Sequence, residues 1–537
     1  MERVEVDVLV AGAGAAGLRA ALEASLQGAR VLVLCKGAPG GGTSTVLSGG
    51  VFRGASGGVD PASHLLETLK AGRGLNQKSL VEILVQESPS RLQELLDWGL
   101  RGETRGAFLF AGGVAPIWGK PILDCLMAKA GQRGIGFLGS TMLCRIFPTG
   151  SGLGALAYNI KGGRWLGFHC KALILATGGA GALYARHDNP RSMFGEGYTL
   201  ALQAGAQLQD MEFVQFYPLG LAEPGLPSFL IPPRLADKGR LYNGQGQDIL
   251  SKYSIQERPA AERARDRLSQ AIFLEIQEGQ EIFLDLRAVS QKQWMEDPLS
   301  ASCSDLLGKK FGGFERPLRV APMAHFLMGG ISIAENGETS VPGLFAAGEA
   351  AGGVHGANRL GGNALAETLV FGARAGRAAA LWALEADEPQ DLGPLMEQSL
   401  KSLLARPAQG FRPQTRQLRE RLRQCMWEKG GILRDRKGLQ EALECLTQMS
   451  LELEASPICS ECSGLARTME LHLGVGTGIL ILKAALRREE SRGAHFRSDF
   501  PSQDDRCWLG HLRVRLDPQG SESWSFQPVT PQEASGP

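Results

Sequence analysis

A chain of 537 residues exceeds what one compact domain needs, and 43% apolar with 21% charged residues is the ordinary balance of a globular protein. The formal net charge of +1 leaves no field to steer it to nucleic acid or to an anionic membrane surface. Glycine is abundant, at 71 residues, but falls in short clusters without a fixed period, which excludes collagen-like and low-complexity readings.

The first unit reads as a buried strand over Val4–Ala11, the turn Gly12-Ala13-Gly14-Ala15-Ala16-Gly17, an apolar helix to about Gln27 and a second strand over Val31–Leu34: a compact βαβ unit. A glycine-rich loop follows over Gly37–Gly58, then helical patterns over about Pro61–Trp98. Short strands occupy about 130–180 and end in Ala176-Thr177-Gly178-Gly179. From about 215 to 320 the chain carries more charge and proline and reads as an inserted domain. From Val341 a strand and glycine turn return, ending at Gly348-Glu349, and after about 385 the pattern is helical, with amphipathic runs over Arg412–Arg423 and Leu439–Leu453. The last residues, 516–537, are rich in Ser, Pro and Gln and are expected to be disordered.

No basic segment followed by an apolar stretch opens the chain, and no run reaches the ~18 uninterrupted apolar residues of a membrane span. The expected location is cytoplasmic, with membrane association only through a partner and no direct insertion. The ten cysteines are scattered, as reduced thiols would be, and do not form a disulfide framework. Cys459 and Cys462 make one isolated CxxC; a structural zinc or an iron–sulfur cluster wants about four ligands, so no metal is expected.

The chemistry begins at Gly12-x-Gly14-x-x-Gly17. The first glycine permits the tight turn, the second lets the backbone approach a pyrophosphate, and the third lets the helix pack on the strand, while the helix N-terminus attracts the anion. The motif alone is weak, but its strand–turn–helix context is right for a dinucleotide. The second strand ends Leu34-Cys35-Lys36, without the acid that grips a ribose in a plain NAD site. Two later glycine turns at strand ends, Thr177–Gly179 and Gly348–Glu349, let the chain return twice to one nucleotide, which suits FAD better than NAD. Glu349 is a candidate acceptor for a ribose or ribityl hydroxyl.

Several segments then resemble the flavoprotein subunit of fumarate reductase and succinate dehydrogenase, with its relative L-aspartate oxidase: Asp7–Gly17, Asp210-Met-Glu-Phe-Val-Gln-Phe, Arg265-Asp-Arg-Leu-Ser-Gln-Ala, His325-Phe-Leu-Met-Gly-Gly, Gly348-Glu349, His355-Gly-Ala-Asn-Arg359-Leu-Gly-Gly-Asn, Met426-Trp-Glu and Glu490-Ser-Arg-Gly-Ala-His495. The resemblance runs over about 4–511, in the family's order. It implies an α/β fold: a Rossmann-like FAD-binding domain in two parts (1–214 and 323–385), an inserted α+β capping domain (215–322) that closes over the flavin, and a C-terminal helical domain (386–515). It further implies that Arg265 shuttles a proton to or from the substrate carbon and that His325 and Arg359 hold a substrate carboxylate. The cofactor set it implies is Gly12, Gly14, Ala15, Gly17, Lys36, Thr43, Ser44, Gly49, Gly50, Ala176, Thr177, Gly178, Asp210, Glu349, Asn363 and Leu365.

Such chemistry suits these residue types. Hydride adds to one carbon of an enoate and a proton to its neighbour, and cations that clamp the carboxylate stabilise the developing carbanion. Arg359 supplies a bidentate fork. An arginine ordinarily stays protonated, so Arg265 can act only if its proton moves in concert with the hydride and a relay reloads it.

The pattern breaks in two places. Tyr217 stands where the family's dicarboxylate enzymes have His, and Ile231-Pro232 where they have Thr-Glu, so the subsite for a second carboxylate is altered. Tyr217 can donate one hydrogen bond, and Arg234 could supply a replacement cation. The loop Gly42-Thr43-Ser44-Thr45-Val46 lacks the histidine that bonds covalently to the flavin in the respiratory enzymes, and the nearest downstream is His64. Non-covalent FAD is therefore expected. The leading expectation is hydride transfer between FAD and a small carboxylate or enoate, with electrons exchanged with an iron–sulfur partner subunit or a small donor. L-aspartate oxidation and a non-catalytic flavin subunit of a redox assembly are the alternatives.

Overall fold

The computed structural model describes residues 1–54, 60–149, 152–226, 228–387, 390–404, 415–455 and 462–529. The end of the glycine-rich loop, the start of the Arg412–Arg423 run, Cys459 and the side chain of Cys462, and residues 530–537 lie outside that description.

Strand β1 (Glu2–Ala11) runs through the glycine turn into helix α1 (Ala15–Leu26), and β2 (Val31–Leu34) returns parallel beside it. On its other side β1 pairs in parallel with β3 (Arg164–Leu175). Gly136–Leu138 extends the sheet beyond β2, Leu344–Ala346 joins the end of β3 in parallel, and two antiparallel strands, Leu153–Asn159 and Thr141–Pro148, complete seven. Val8, Leu9 and Val10 have no exposed surface, as expected of a parallel strand covered on both faces. The turn that follows needs glycine. Gly12 has φ +119°, and a Cβ there would fall 2.1 Å from Ala176 O; one on Gly17 would fall 1.9 Å from Gly12 O.

A four-stranded antiparallel sheet forms the second layer of the site. It contains β4 (Val214–Leu221), with helix α2 (Arg265–Gln277) packed on it, and β5 (Leu318–Leu327), together with Ile282–Asp285 and Arg240–Asn243. Its apolar side is a separate core that includes Leu219, Ile231, Leu268, Ile272, Leu284 and Met323. The expected division between 322 and 323 falls inside β5, so one continuous strand carries the chain from the inserted segment to His325.

The C-terminal helices include Thr415–Glu428, Arg436–Ala455 and α3 (Cys462–Arg487). Gly464–Arg487 is long and apolar enough to cross a membrane, but 67% of its apolar window is buried against the rest of the chain, so that surface serves the core. The tail departs from expectation. Strand β6 (Gly510–Leu516) pairs along its whole length with β7 (Glu522–Pro528), so residues that composition marked as disordered form a hairpin. Trp524 under the Arg487 guanidinium, at 4.3 Å, and the Lys483–Glu522 ion pair at 2.8 Å hold β7 against α3. One aromatic anchor, one ion pair and a paired backbone outweigh a Ser- and Gln-rich composition.

Candidate active site

One long cleft enclosing about 380 Å³ runs along the C-terminal ends of β1, β2 and β3 and continues under the four-stranded sheet. This is where an open parallel sheet binds ligands. At the dinucleotide end it is lined by Gly12, Gly14, Ala15, Lys36, Thr43, Ser44, Gly49, Ala176, Thr177 and Gly178, with Glu349 and Leu365 farther along. Thr43 caps a short helix by accepting from Val46 N, and Thr45 Oγ1 accepts from Ala15 N at 3.0 Å, tying that loop to the first turn of α1. Thr177 Oγ1 is buried with no partner among the described residues, a donor left for a ligand.

Four of the expected cofactor residues do not face this cleft. Gly17 lies beneath the turn, where α1 packs on it. A Cβ on Gly50 would fall 2.7 Å from Trp118 O, so that glycine allows a close backbone approach. Asp210 spends its carboxylate on His511 Nδ1 (2.6 Å) and Leu512 N (3.1 Å), pinning β6. Asn363 pairs with His64 Nε2 (2.9 Å) and donates to Thr68 Oγ1 (3.0 Å).

The acid at the dinucleotide end is instead Glu196, the first residue of helix Glu196–Gln203. It pairs with Lys36, which also reaches Glu470 on α3 at 2.9 Å. Burial disfavours the Lys36 ammonium, but the two carboxylates outweigh it and raise its pKa. Burial pushes Glu196 up, against Lys36. Sequence reasoning missed Glu196; its signal was a glycine–acid–glycine triplet at a helix start, Gly195-Glu196-Gly197.

At the other end the cleft gathers Arg265, His325, Arg359, Tyr217 and Arg234. Arg265 opens α2; its Nη1 donates to Gln215 Oε1 at 2.7 Å and its Nε to Ala261 O at 3.3 Å. Arg359 Nη2 donates to the same Gln215 oxygen at 2.9 Å, and its guanidinium lies 4.6 Å from the Phe326 ring centroid. Arg359 Nε is buried with no partner among the described residues. Burial, with Arg265 nearby, lowers the Arg359 pKa to about 9. Burial lowers Arg265 too. His325 Nδ1 meets Asp188 Oδ2 at 2.7 Å; burial lowers its pKa and Asp188 opposes that. Glu349 accepts from Leu327 N at 3.0 Å, and burial raises its carboxyl to about 8.

Tyr217 differs from expectation. Its hydroxyl donates to Ile231 O at 2.6 Å, so the ring and not the hydroxyl faces the site, under the Arg265 guanidinium at 5.6 Å. Burial pushes its pKa up. Leu230, Pro232 and Pro233 make an apolar wall there, and Arg234, which is exposed, has no hydrogen bond or ion pair to a described residue. Sequence reasoning also missed Gln215, Asp188 and Glu262 as site residues, although Gln215 stands inside the Asp210-Met-Glu-Phe-Val-Gln-Phe motif and Glu262 three residues before Arg265; all three lie at this end of the molecule.

A glycine turn at a helix N-terminus, opening a cleft that ends in two buried guanidiniums and a histidine, is the architecture of a dinucleotide-dependent protein. Residues 7–365 match the family model "FAD binding domain" and residues 419–535 match "Fumarate reductase flavoprotein C-term". The chain belongs to the fumarate reductase flavoprotein family of FAD-dependent oxidoreductases, and its cofactor is FAD. It is similar to one component of the fumarate reductase (CoM/CoB) of Methanothermobacter marburgensis, 34% identical over 93% of this chain and 95% of that one. The L-aspartate oxidase of Synechocystis sp. is 32% identical, over 96% and 99%. The solved FrdA polypeptide of E. coli quinol fumarate reductase superposes with a TM-score of 0.89 at 28% identity, over 100% and 99%.

Proposed function

We propose that this enzyme reduces the carbon–carbon double bond of a small unsaturated carboxylic acid, or runs the reverse oxidation. Bound FAD supplies or accepts the hydride equivalent. The observation that carries the reading is the convergence of Arg265 and Arg359 on Gln215 Oε1 beside His325, in the cleft that begins at the dinucleotide turn. An amide oxygen between two cations offsets their repulsion and fixes both forks. Arg359, with an unpartnered Nε, and His325 hold the substrate carboxylate; charge that develops on it is stabilised without reorganisation. Arg265, its proton loosened by burial, gives that proton to the carbon next to the one that receives hydride.

The distal end favours an acid unlike the family's four-carbon dicarboxylates. With the Tyr217 hydroxyl committed to Ile231, Arg234 is the cation left to meet a second anionic group against an apolar wall. FAD is held non-covalently: among the described residues the histidine lining the cleft is His325, which faces Asp188, and His64 is tied to Asn363. Electrons are exchanged with a separate protein, such as an iron–sulfur protein, or with a small donor, a reading supported by the likeness to the FrdA polypeptide of quinol fumarate reductase. We place the enzyme in the cytoplasm, reaching a membrane only through such a partner.

L-aspartate oxidation is the second reading, favoured by relatives of 32% identity. Viologen-linked assays with a panel of unsaturated and saturated acids, run beside a peroxide assay with L-aspartate and O₂, separate them. The expected result is viologen oxidation by an enoate and no peroxide. Peroxide from L-aspartate would establish the second reading, and inactivity in both assays a non-catalytic flavin subunit.

A further inference from the structure

Asp188, which meets His325 Nδ1 at 2.7 Å, has no part in the chemistry assigned so far. We propose that Asp188 is a positioning residue for the acid-binding end of the cleft: it orients His325, fixes its tautomer and favours the protonated ring that a substrate carboxylate needs. The proposal rests on the reading of His325 as a carboxylate-binding group.

The chain delivers Asp188 by backbone pairing. Ala324 N donates to Arg186 O at 2.9 Å and Asp188 N to Ala324 O at 3.3 Å, so the segment 186–188 lies along β5 immediately before His325. Asn189 clamps the pair. Its Nδ2 donates to Asp188 Oδ1 at 3.0 Å and to His325 O at 3.1 Å. A glycine makes room for that clamp: a Cβ on Gly181 would fall 2.6 Å from Asn189 Cγ. One carboxylate oxygen is thus anchored and the other is aimed at Nδ1, 2.7 Å away.

An ionised carboxylate only accepts, so Nδ1 carries the hydrogen and Nε2 is the nitrogen left to meet a ligand. In the neutral ring Nε2 presents a lone pair, which repels a carboxylate. In the cation it presents an N–H, which binds one. The other titratable groups around the ring are Arg359 and Arg265, which oppose its protonation, the buried Glu349 carboxyl, which accepts from Leu327 N and lines the same cleft, and Tyr217, whose ring centroid lies 5.9 Å away. Burial and two guanidiniums all favour the neutral ring, and Asp188 is the group that opposes them. Affinity for the acid therefore falls as pH rises through the His325 transition, and Asp188 sets where that happens.

Holoenzyme labelled with [15N]histidine, with His325 assigned by comparison with His325→Gln, tests this without substrate. The expected spectrum shows a neutral ring protonated at Nδ1, with a titration midpoint at least about one pH unit above that of Asp188→Asn. In steady state, the alkaline limb of kcat/KM moves down by the same amount in Asp188→Asn; above it KM rises about tenfold while kcat stays within about threefold, and Asp188→Glu recovers part of the shift. Equal midpoints, or a neutral ring protonated at Nε2 in the wild type, would overturn the proposal; the wild-type spectrum decides even if Asp188→Asn fails to fold. Should no enoate be turned over, the assigned reaction fails while the spectra still decide the role of Asp188.

Discussion

Arg265 and Arg359, far apart in sequence and on separate elements, end on one oxygen: both guanidiniums donate to Gln215 Oε1, at 2.7 and 2.9 Å. The amide cannot turn over, because its Nε2 donates to Asn358 Oδ1 at 2.7 Å and to Arg359 O at 3.1 Å. Removing it frees two buried cations to repel each other and to leave the reacting geometry. Gln215→Ala is expected to lower kcat/KM for the best acid by about 10²-fold, the scale of a misplaced catalytic group, while flavin content stays at one per chain. Steady-state kinetics and the flavin absorbance at full saturation check both halves.

Tyr217 and Arg234 divide the distal end between packing and charge. Tyr217→Phe removes a buried hydrogen bond to Ile231 O and is expected to cost about 1 kcal/mol of stability while KM changes by less than about twofold. Denaturant melts and KM measurements check it. A large rise in KM would show the hydroxyl turning to the substrate.

Arg234→Ala is expected to raise KM about tenfold for acids with a second anionic group and to leave monocarboxylates unchanged, as suits the loss of one charge-assisted contact at an exposed position. A comparison of paired mono- and dicarboxylic enoates reads this directly.

Glu349 carries a pH signature. Its carboxyl titrates near 4.5 when unfolded and is pushed up to about 8 by burial in the folded chain, so between those values the folded state holds a proton that the unfolded state has lost. Its contribution to stability is complete below about 4.5 and is lost as pH rises toward 8. Glu349→Gln, which stays neutral, is expected to flatten the fall in melting temperature between pH 5 and 8. Thermal melts of both holoproteins across that range check it, and parallel curves would contradict it.

Much of this was legible in the residues. The strand, turn and helix that open the chain lie where hydrophobic runs and glycines place them, because a buried parallel strand must be apolar on both faces and the turn admits no Cβ. His325, Arg359 and Arg265 were found because each stands in a long motif, and the fold brings them to one cleft. Asp210 and Asn363 stand in motifs too, yet their side chains hold loops and a hairpin in place; a motif records that a residue matters without saying whether it touches the ligand. Glu196, Gln215 and Asp188 act through partners distant in sequence, Lys36, the two arginines and His325, and no local spacing announces such a pairing. The β7 strand was hidden because its neighbours in sequence are polar and only its pairing with β6 makes Trp524 and Phe526 informative.

The most direct measurement is a single turnover under anaerobic conditions. Holoprotein reduced by dithionite is mixed with each acid of the enoate panel, and the return of the oxidised flavin absorbance is followed in wild type and Arg265→Ala. The expected result is rapid reoxidation of the wild type by at least one enoate and a rate at least about 10³-fold slower in the variant, with FAD still bound. Reoxidation of both proteins at the same rate, or of neither, would contradict the assignment of this cleft to proton-coupled hydride transfer.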